Sequence, residues 1–565
     1  MKKLINDPAN AVAEMVAGLV AVQPGLTRIA GRNVVLRDDL PAPEHRKVAI
    51  ISGGGSGHEP AHAGYVGAGM LTAAVLGDVF TSPSVDAVLE AIQATAGPAG
   101  ALLIVKNYTG DRLNFGLAAE IARAGGIPVE IVVVGDDAAL EGIVAQERRR
   151  GIAGTVLVHK VAGAAAEQGK DLAAVAQLAG RAADAVRSMG VALGSCTLPS
   201  AKAPSFTLGD EEIEFGLGIH GEMGARRSAM LPASRIVSDM LDRLVEDLGE
   251  RSREPVALVV NGLGATTQLE LMIVASNALD DLSRRGVKVA RVWAGNFMTA
   301  LEMPGCSLSL MPLDDELSAL IDEATVAPAW PGPGLLAEKV AVKAPVAADD
   351  ILAGEADGPV SDAVRKAMLA IAEALDAAEQ KLTELDSVAG DGDLGASMVR
   401  GAVALRGVAA ARFSTPSKAL DALALALRRE IAGSSGPFYA IALMRVARLL
   451  EGEVSPSADL WGKALAEAAE AVSATGGARP GDRTMLDALS GAIQAWRAAR
   501  AEGRGGFEAF DAAAAGAAQG AAKTAEMTPK LGRASYLGER VLGHPDAGAT
   551  AVAIWMDALA RSLRG

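Results

Sequence analysis

Two histidines and three aspartates are the residues of this chain whose spacing invites chemistry. His58 closes Ser52-Gly53-Gly54-Gly55-Ser56-Gly57-His58, a glycine-rich loop straight after an apolar run. Glycines let backbone N–H groups approach a ligand closely, and a helix start behind them favours an oxyanion; a tight strand-to-helix turn is the plainer alternative. His220 lies between glycines in GLGIHGEMG, from Gly216 to Gly224. A neutral imidazole exposed in this way can attack a carbonyl carbon, against the reading as a hydrogen-bonded structural histidine. Lys106 and Asp111 share the segment KNYTGD after another apolar run. Loops at the carboxyl ends of α/β strands bind ligands, although a solvated turn would look the same. Asp386, Asp391 and Asp393 put three carboxylates within eight residues, punctuated by Gly390 and Gly392. Three such groups repel unless a cation neutralises them, and hard oxygen ligands suit Mg²⁺ or Ca²⁺. Counted from Asp391, an EF-hand would need ligands at Gly395 and Ala402, which excludes it. Mg²⁺ carrying nucleotide phosphates fits better than a solvated acidic loop. Both sets in one chain point to an enzyme that moves a phosphoryl group onto a small substrate.

Two familiar motifs appear in form only. His58-Glu59-Pro60-Ala61-His62 spells H-E-x-x-H, but Pro60 forbids the helix interior on which a zinc protease depends, and no third ligand follows at a convincing spacing. Gly163 to Asp171 resembles a P-loop with one residue too many and Asp171 in place of Ser or Thr. Any nucleotide is therefore bound by another scheme. GSSG at 433–436, GGARPGDRT at 476–484 and GRAS at 532–535 offer backbone donors, with Arg533 to offset phosphate charge.

The elements that must carry these residues follow from period and punctuation. Short β-branched runs at 47–52, 101–106, 127–135, 155–159, 255–261 and 287–294 alternate with helical stretches, which predicts an α/β module over 1–330. The rhythm breaks near residue 190, where a second α/β unit is expected to start. A proline-rich linker is expected at 331–357, and an all-helical domain over 358–565. Its first helix is read from Ser361 to about Asp386, with Val364, Met368, Ile371 and Leu375 on one face. The alanine-rich tract 512–522 reads as a tightly packed helix.

Composition bounds the rest. The 565 residues exceed what one core supports, and half of them are hydrophobic. A net charge of −15 argues against non-specific nucleic-acid binding. No run reaches the length of a membrane span, the N-terminus lacks a credible signal cleavage site, and Cys196 and Cys306 form no disulfide framework. A soluble, cytoplasmic protein is expected.

These motifs resemble those of the single-chain, ATP-dependent dihydroxyacetone kinases. SGGGSGHEP, GDVFTSPS, VKNYTGD, GIHGE, AGNFMTALEMPG, LDSVAGDGDLG, GSSGPFY, PGDRTMLDAL and GRASYLGERVLGH stand in family order along essentially the whole chain. The resemblance implies two α/β units forming a ketose-binding module, followed by an all-α barrel or bundle that binds ATP and Mg²⁺. It implies that His220 holds the substrate carbonyl as a hemiaminal. Gly55, Ser56, Gly57, His58, Lys106 and Asp111 would contact the substrate, with His58 and Asp111 deprotonating its hydroxyl. Mg²⁺ would sit on Asp386, Asp391 and Asp393. Nucleotide contacts would fall on Leu394, Gly395, Ala396, Ser397, Ser434, Ser435, Gly476, Met485, Arg533 and Asp546. Dihydroxyacetone is the implied substrate and a homodimer the implied assembly. A kinase of a longer ketose such as erythrulose, or a ketose sensor or phosphotransfer-system subunit without ATP turnover, are the alternatives.

Overall fold

The computed structural model describes residues 2–140, 148–204, 206–336, 362–409, 415–431, 433–531, 533–536 and 538–564. The chain divides into two compact units, Met1–Ala341 and Val342–Gly565.

The first unit is built on two six-stranded sheets. One contains β1 (Leu26–Arg28), β2 (Val34–Arg37), β3 (Ala49–Ser56), β4 (Ala73–Val79), β5 (Ala101–Lys106) and β6 (Val129–Val134), in the order β1-β2-β4-β3-β5-β6. From β4 to β6 the pairing is parallel, so these strands all end at one edge. Every residue of β3 and of β5 is buried, as expected where helices cover both faces. The second sheet contains β7 (Arg187–Ala192), β8 (Glu212–Phe215), β9 (Arg226–Ala229), β10 (Val256–Gly262), β11 (Val289–Gly295) and β12 (Gly305–Pro312). Its order is β11-β10-β12-β7-β8-β9, and only β10–β11 is parallel. The segment 327–335 packs back on this sheet. Trp330 lies 4.8 Å from Trp293 between ring centroids, and the Val292 N–H donates to Gly334 O.

One expected strand is a helix. Thr155–His159 opens a helix running to Glu167, of which every residue from Thr155 to Ala166 is buried. A helix covered on all sides loses its polar face, and with it the period that separates a helix from a short buried strand. The P-loop-like glycine, Gly163, belongs to this helix; a Cβ there would sit 2.2 Å from Met70 Cα. It is a packing position.

The second unit contains nine α-helices among the described residues. The helix expected from Ser361 to Asp386 is two, Asp362–Ala377 and Glu379–Ala389, broken at Ala378. Ser361 and most of the expected linker lie outside the described residues. The alanine-rich tract is a helix, Gly506–Lys523, packed backbone to backbone on the helix Met485–Ala501. A Cβ on Gly516 would lie 2.4 Å from Gly491 O, and one on Gly520 would lie 2.4 Å from Asp487 O. No helix among the described residues is long and apolar enough to cross a membrane.

Candidate active site

The shared edge of β3, β4 and β5 collects the first set of residues. β3 delivers Ser56, Gly57 and His58; β4 delivers Phe80 and, two residues on, Ser82; β5 delivers Lys106 and Tyr108, with Asp111 in the first turn of the helix Thr109–Ala124. His220 comes from the other sheet, on the glycine loop after β8. Its ring centroid lies 4.9 Å from that of His58, 5.2 Å from Phe80 and 4.8 Å from Tyr108, each edge to face. Phe80 also stacks on His58 at 5.1 Å. The two histidines, 162 positions apart in the sequence, thus share one aromatic cage.

Hydrogen bonds fix the tautomers. His58 Nδ1 lies 2.7 Å from Thr299 O, and a carbonyl only accepts, so Nδ1 carries the proton and Nε2 keeps a lone pair. His220 Nδ1 lies 2.8 Å from Glu222 Oε1, while the His220 N–H donates to Glu222 Oε2 at 3.0 Å. Burial pushes Glu222 up, but the hydrogen bond and charge of His220 outweigh it and hold the carboxyl at about 2. The carboxylate takes the hydrogen bond of Nδ1–H, so Nε2 is the free nitrogen of the neutral ring. His58 is fully buried, and that burial, then the charges of Lys106 and His220, hold its pKa well below the usual range. It stays a neutral acceptor.

Lys106 is 0% exposed, and its Nζ has no hydrogen-bond partner. Burial lowers its pKa against the raising influence of Asp111, Glu222 and Asp136. Gly54 shows where this cation points: a Cβ there would lie 3.1 Å from Lys106 Nζ and 3.5 Å from Asp111 Oδ2. Ser82 Oγ donates to the other oxygen of Asp111. His58 Nε2 and Lys106 Nζ are buried polar atoms without a hydrogen-bond partner.

Not every expected contact is a side-chain contact. Ser56 Oγ donates to Gly77 O within the sheet, and Gly55 is held against Phe80 and Thr81, where a Cβ would lie 2.5 Å from Thr81 N. Gly57 has φ +99°, a left-handed value that suits glycine, and packs beside Phe80. His62 lies in a turn, not a helix, and its ring meets His159 at 5.1 Å. Sequence reasoning assigned no role to Glu222, Phe80, Ser82, Tyr108 or Thr299. All five sit inside motifs noted above, but only the fold shows which of them face the histidines.

In the second unit, Asp386 ends the helix Glu379–Ala389, and Asp391 and Asp393 follow on a turn before the helix Leu394–Ala409. Gly392 makes that turn with φ +76°. One oxygen from each carboxylate lies within 4.8 Å of the others, and among the described residues this is the only group of its kind. The donor set fits a hard divalent cation. Leu394, Gly395, Ala396 and Ser397 form the first helical turn beyond it, and the Leu394 N–H donates to Asp386 Oδ2 at 3.3 Å. Met485 opens the helix Met485–Ala501 and packs on Gly548, while Asp546 caps the helix Ala547–Arg564 by accepting from the Ala549 N–H at 2.8 Å. Burial raises the pKa of Asp546, with Arg483 opposing and with Asp487 and Asp386 adding to the rise, so the cap and the triad share one field. Helix starts carry partial positive charge, which suits phosphate oxygens. Ser434 and Ser435 stand at another helix start, and Gly476 ends the helix Ala458–Gly476. The Arg533 side chain lies outside the described residues.

The Dak1 domain family matches residues 17–329, and the DAK2 domain family matches residues 388–561. The chain is 43% identical over 578 residues to the triokinase/FMN cyclase of Homo sapiens, covering 100% of this chain and 99% of that protein. It is 36% identical over 568 residues to the D-erythrulose kinase of Mycolicibacterium smegmatis, covering 98% and 97%. The crystal structure of the dihydroxyacetone kinase from C. freundii in complex with AMP-PNP and Mg²⁺ aligns with TM-score 0.67 and 35% identity, covering 99% of both chains.

Proposed function

Since the chain belongs to the single-chain dihydroxyacetone kinase family, with fused Dak1 and DAK2 domains, we propose that it transfers a phosphoryl group from MgATP to a terminal hydroxyl of dihydroxyacetone. The observation that carries this reading is the paired tautomers of the two caged histidines. His220 presents Nε2 for attack on a carbonyl, and His58 presents Nε2 as a proton acceptor.

In the proposed capture, the Nε2 lone pair of His220 forms a bond to C2, the carbonyl π pair moves to oxygen, and that oxygen takes a proton from water. The Nδ1 proton passes through Glu222 back to the hydroxide so formed, which leaves a neutral hemiaminal and an ionised Glu222. Only a carbonyl compound can be held this way, so the step selects ketoses over glycerol. Lys106 and Asp111 orient the hydroxyls, and His58 with Asp111 takes the proton of the attacking one; such acid–base help is worth about 10²–10⁴ in rate. Asp386, Asp391 and Asp393 would hold Mg²⁺, which neutralises phosphate charge when bound. The starts of the helices at Leu394, Ser435, Met485 and Ala547 would bind the nucleotide, with Gly476 and Arg533 as further contacts.

The name of the M. smegmatis protein favours a longer ketose as the second reading, since every residue in the cage would serve erythrulose equally. A sensor or phosphotransfer-system subunit is disfavoured by the second unit with its carboxylate cluster. The homodimer has support in an exposed apolar stripe of Leu113, Leu117 and Ile121 at successive helical turns. Two buried free cysteines fit the cytoplasm. Coupled ATP consumption with dihydroxyacetone, glyceraldehyde and both erythruloses is the test. Absence of ketose-dependent turnover overturns the kinase reading, and a preference for erythrulose overturns the substrate.

A further inference from the structure

Arg150 reaches the His220 loop from the other sheet. Asp136 and Asp137 follow β6, and the Asp137 N–H donates to Arg150 O at 3.1 Å. In return, Arg150 Nε donates to Asp137 Oδ2 at 2.8 Å, with Nη2 2.7 Å from the same oxygen. The Asp137 carboxylate is 1% exposed and also accepts from the Ala139 N–H. The guanidinium is thus anchored before it meets the loop. Its Nη2 then donates to Gly216 O at 2.6 Å, at the first glycine of the loop that carries His220. Its Nη1 and Glu222 Oε2 both border Gly218, where a Cβ would lie 2.7 Å from the first and 2.0 Å from the second, without a hydrogen bond between them. Tyr108, which packs on His220, lies in the field of Arg150, Glu222 and Asp137.

This loop needs such support. Residues 216–224 form no strand or helix, and Gly216 and Gly221 have φ of +74° and +85°, so the backbone alone does not select one conformation. Glu222 supplies the orientation of the imidazole, but Glu222 rides on the same loop and cannot fix the loop to the sheet. A largely buried guanidinium can, because two of its nitrogens are held on one oxygen of a buried carboxylate while a third direction reaches the loop.

We propose that Arg150 is a positioning residue for covalent ketose capture: held by Asp137, it pins the loop at Gly216 and sets its charge beside Glu222, so that the imidazole of His220 faces the substrate carbonyl. The inference rests on the reading of His220 as the capturing residue. It goes beyond that reading by making the reactivity of one sheet's histidine depend on a cation carried by the other.

The test uses the full-length protein with dihydroxyacetone labelled with ¹³C at C2, where capture converts a ketone resonance into an sp³ one. Gly218→Ala leaves the Arg150–Asp137 pair intact and places a methyl group where Arg150 and Glu222 meet. Arg150→Met removes the cation, and Arg150→Lys keeps the charge without the fork. Displacing a reacting group by about 1 Å costs roughly 10² in rate. We therefore expect Gly218→Ala and Arg150→Met to lose most of the sp³ signal and about 10² in kcat/KM, largely through KM. Arg150→Lys should recover part of both, and Mg²⁺-dependent nucleotide affinity should stay unchanged in all three. If Arg150→Met does not fold, Asp137→Asn, which removes the charge that anchors the guanidinium, decides instead. A full sp³ signal in Arg150→Met, or in Asp137→Asn where the former does not fold, overturns the inference alone. No sp³ signal in the unsubstituted protein overturns the capture reading, and this inference with it.

Discussion

At the scale of single residues, the proposed chemistry divides between groups that react and groups that orient. His220→Ala should abolish covalent capture and turnover together, which ¹³C spectroscopy and a coupled assay check in the same sample. Asp111→Asn should act differently. Asp111 accepts from Ser82 on one oxygen and faces the Lys106 side with the other, and in the proposed mechanism it takes the proton of the attacking hydroxyl. A fall in kcat of about 10²–10⁴ with little change in KM is expected; a change in KM alone would show uniform binding instead. In the second unit, Asp391→Asn or Asp393→Asn should weaken nucleotide binding only when Mg²⁺ is present, and should leave ketose capture intact. Calorimetry with and without Mg²⁺ reads this, and equal affinities would make the cluster a solvated loop. The residues proposed to react stand out in the sequence because glycines and acidic spacing mark them, although their roles come from the resemblance. Thr299, which fixes the tautomer of His58, does not stand out. It sits 241 positions away, and its contribution is a main-chain carbonyl that any residue type would supply.

At the scale of elements, legibility followed periodicity. Ala101–Lys106 forms the strand its pattern predicts, whereas Thr155–His159 begins a helix, because burial on every side removes the polar residues that would reveal a 3.6-residue period. The alanine-rich tract was readable because small residues allow close helix approach. That approach makes a paired prediction. Gly516→Ala places a methyl 2.4 Å from Gly491 O and 2.7 Å from Ala495 Cβ, and should destabilise the protein by about 1–3 kcal/mol. Gly180→Ala, in the interior of the helix Leu172–Ala185 with nothing within 4 Å, should instead stabilise it by about 0.5–1 kcal/mol. Thermal unfolding of the two variants beside the parent should therefore give shifts of opposite sign.

At the scale of the whole molecule, the first unit carries buried histidines whose cost depends on pH. His159 is buried beneath the site with Nε2 on Ser52, and burial, aided by the charge of Lys106, lowers its pKa to about 3. The unfolded chain takes up this proton near 6.5 and the folded chain does not until about 3. Stability is therefore lost as pH falls from 6.5 toward 3, at about 1.4 kcal/mol per pH unit for this group. His159→Gln should flatten the decline in unfolding free energy between pH 6.5 and 4.5 by that slope. Asp137, pushed up to about 6 by burial against the pull of Arg150, acts in the opposite sense, but equally in both proteins. An unchanged slope would mean His159 is protonated in the fold. The adjoining, tilted indoles of Trp293 and Trp330 have a consequence of an optical kind. They are the two tryptophans of the first unit, 4.8 Å apart, with the Trp293 Nε1–H donating to Gly332 O at 2.8 Å; the remaining three, Trp461, Trp496 and Trp555, all belong to the second. Transitions of two indoles at that separation couple, so the near-ultraviolet dichroism of the first half should carry a split band that the second half lacks. On heating, loss of that band before or after the remaining tryptophan emission shifts would report which half of the chain melts first, without any label being added.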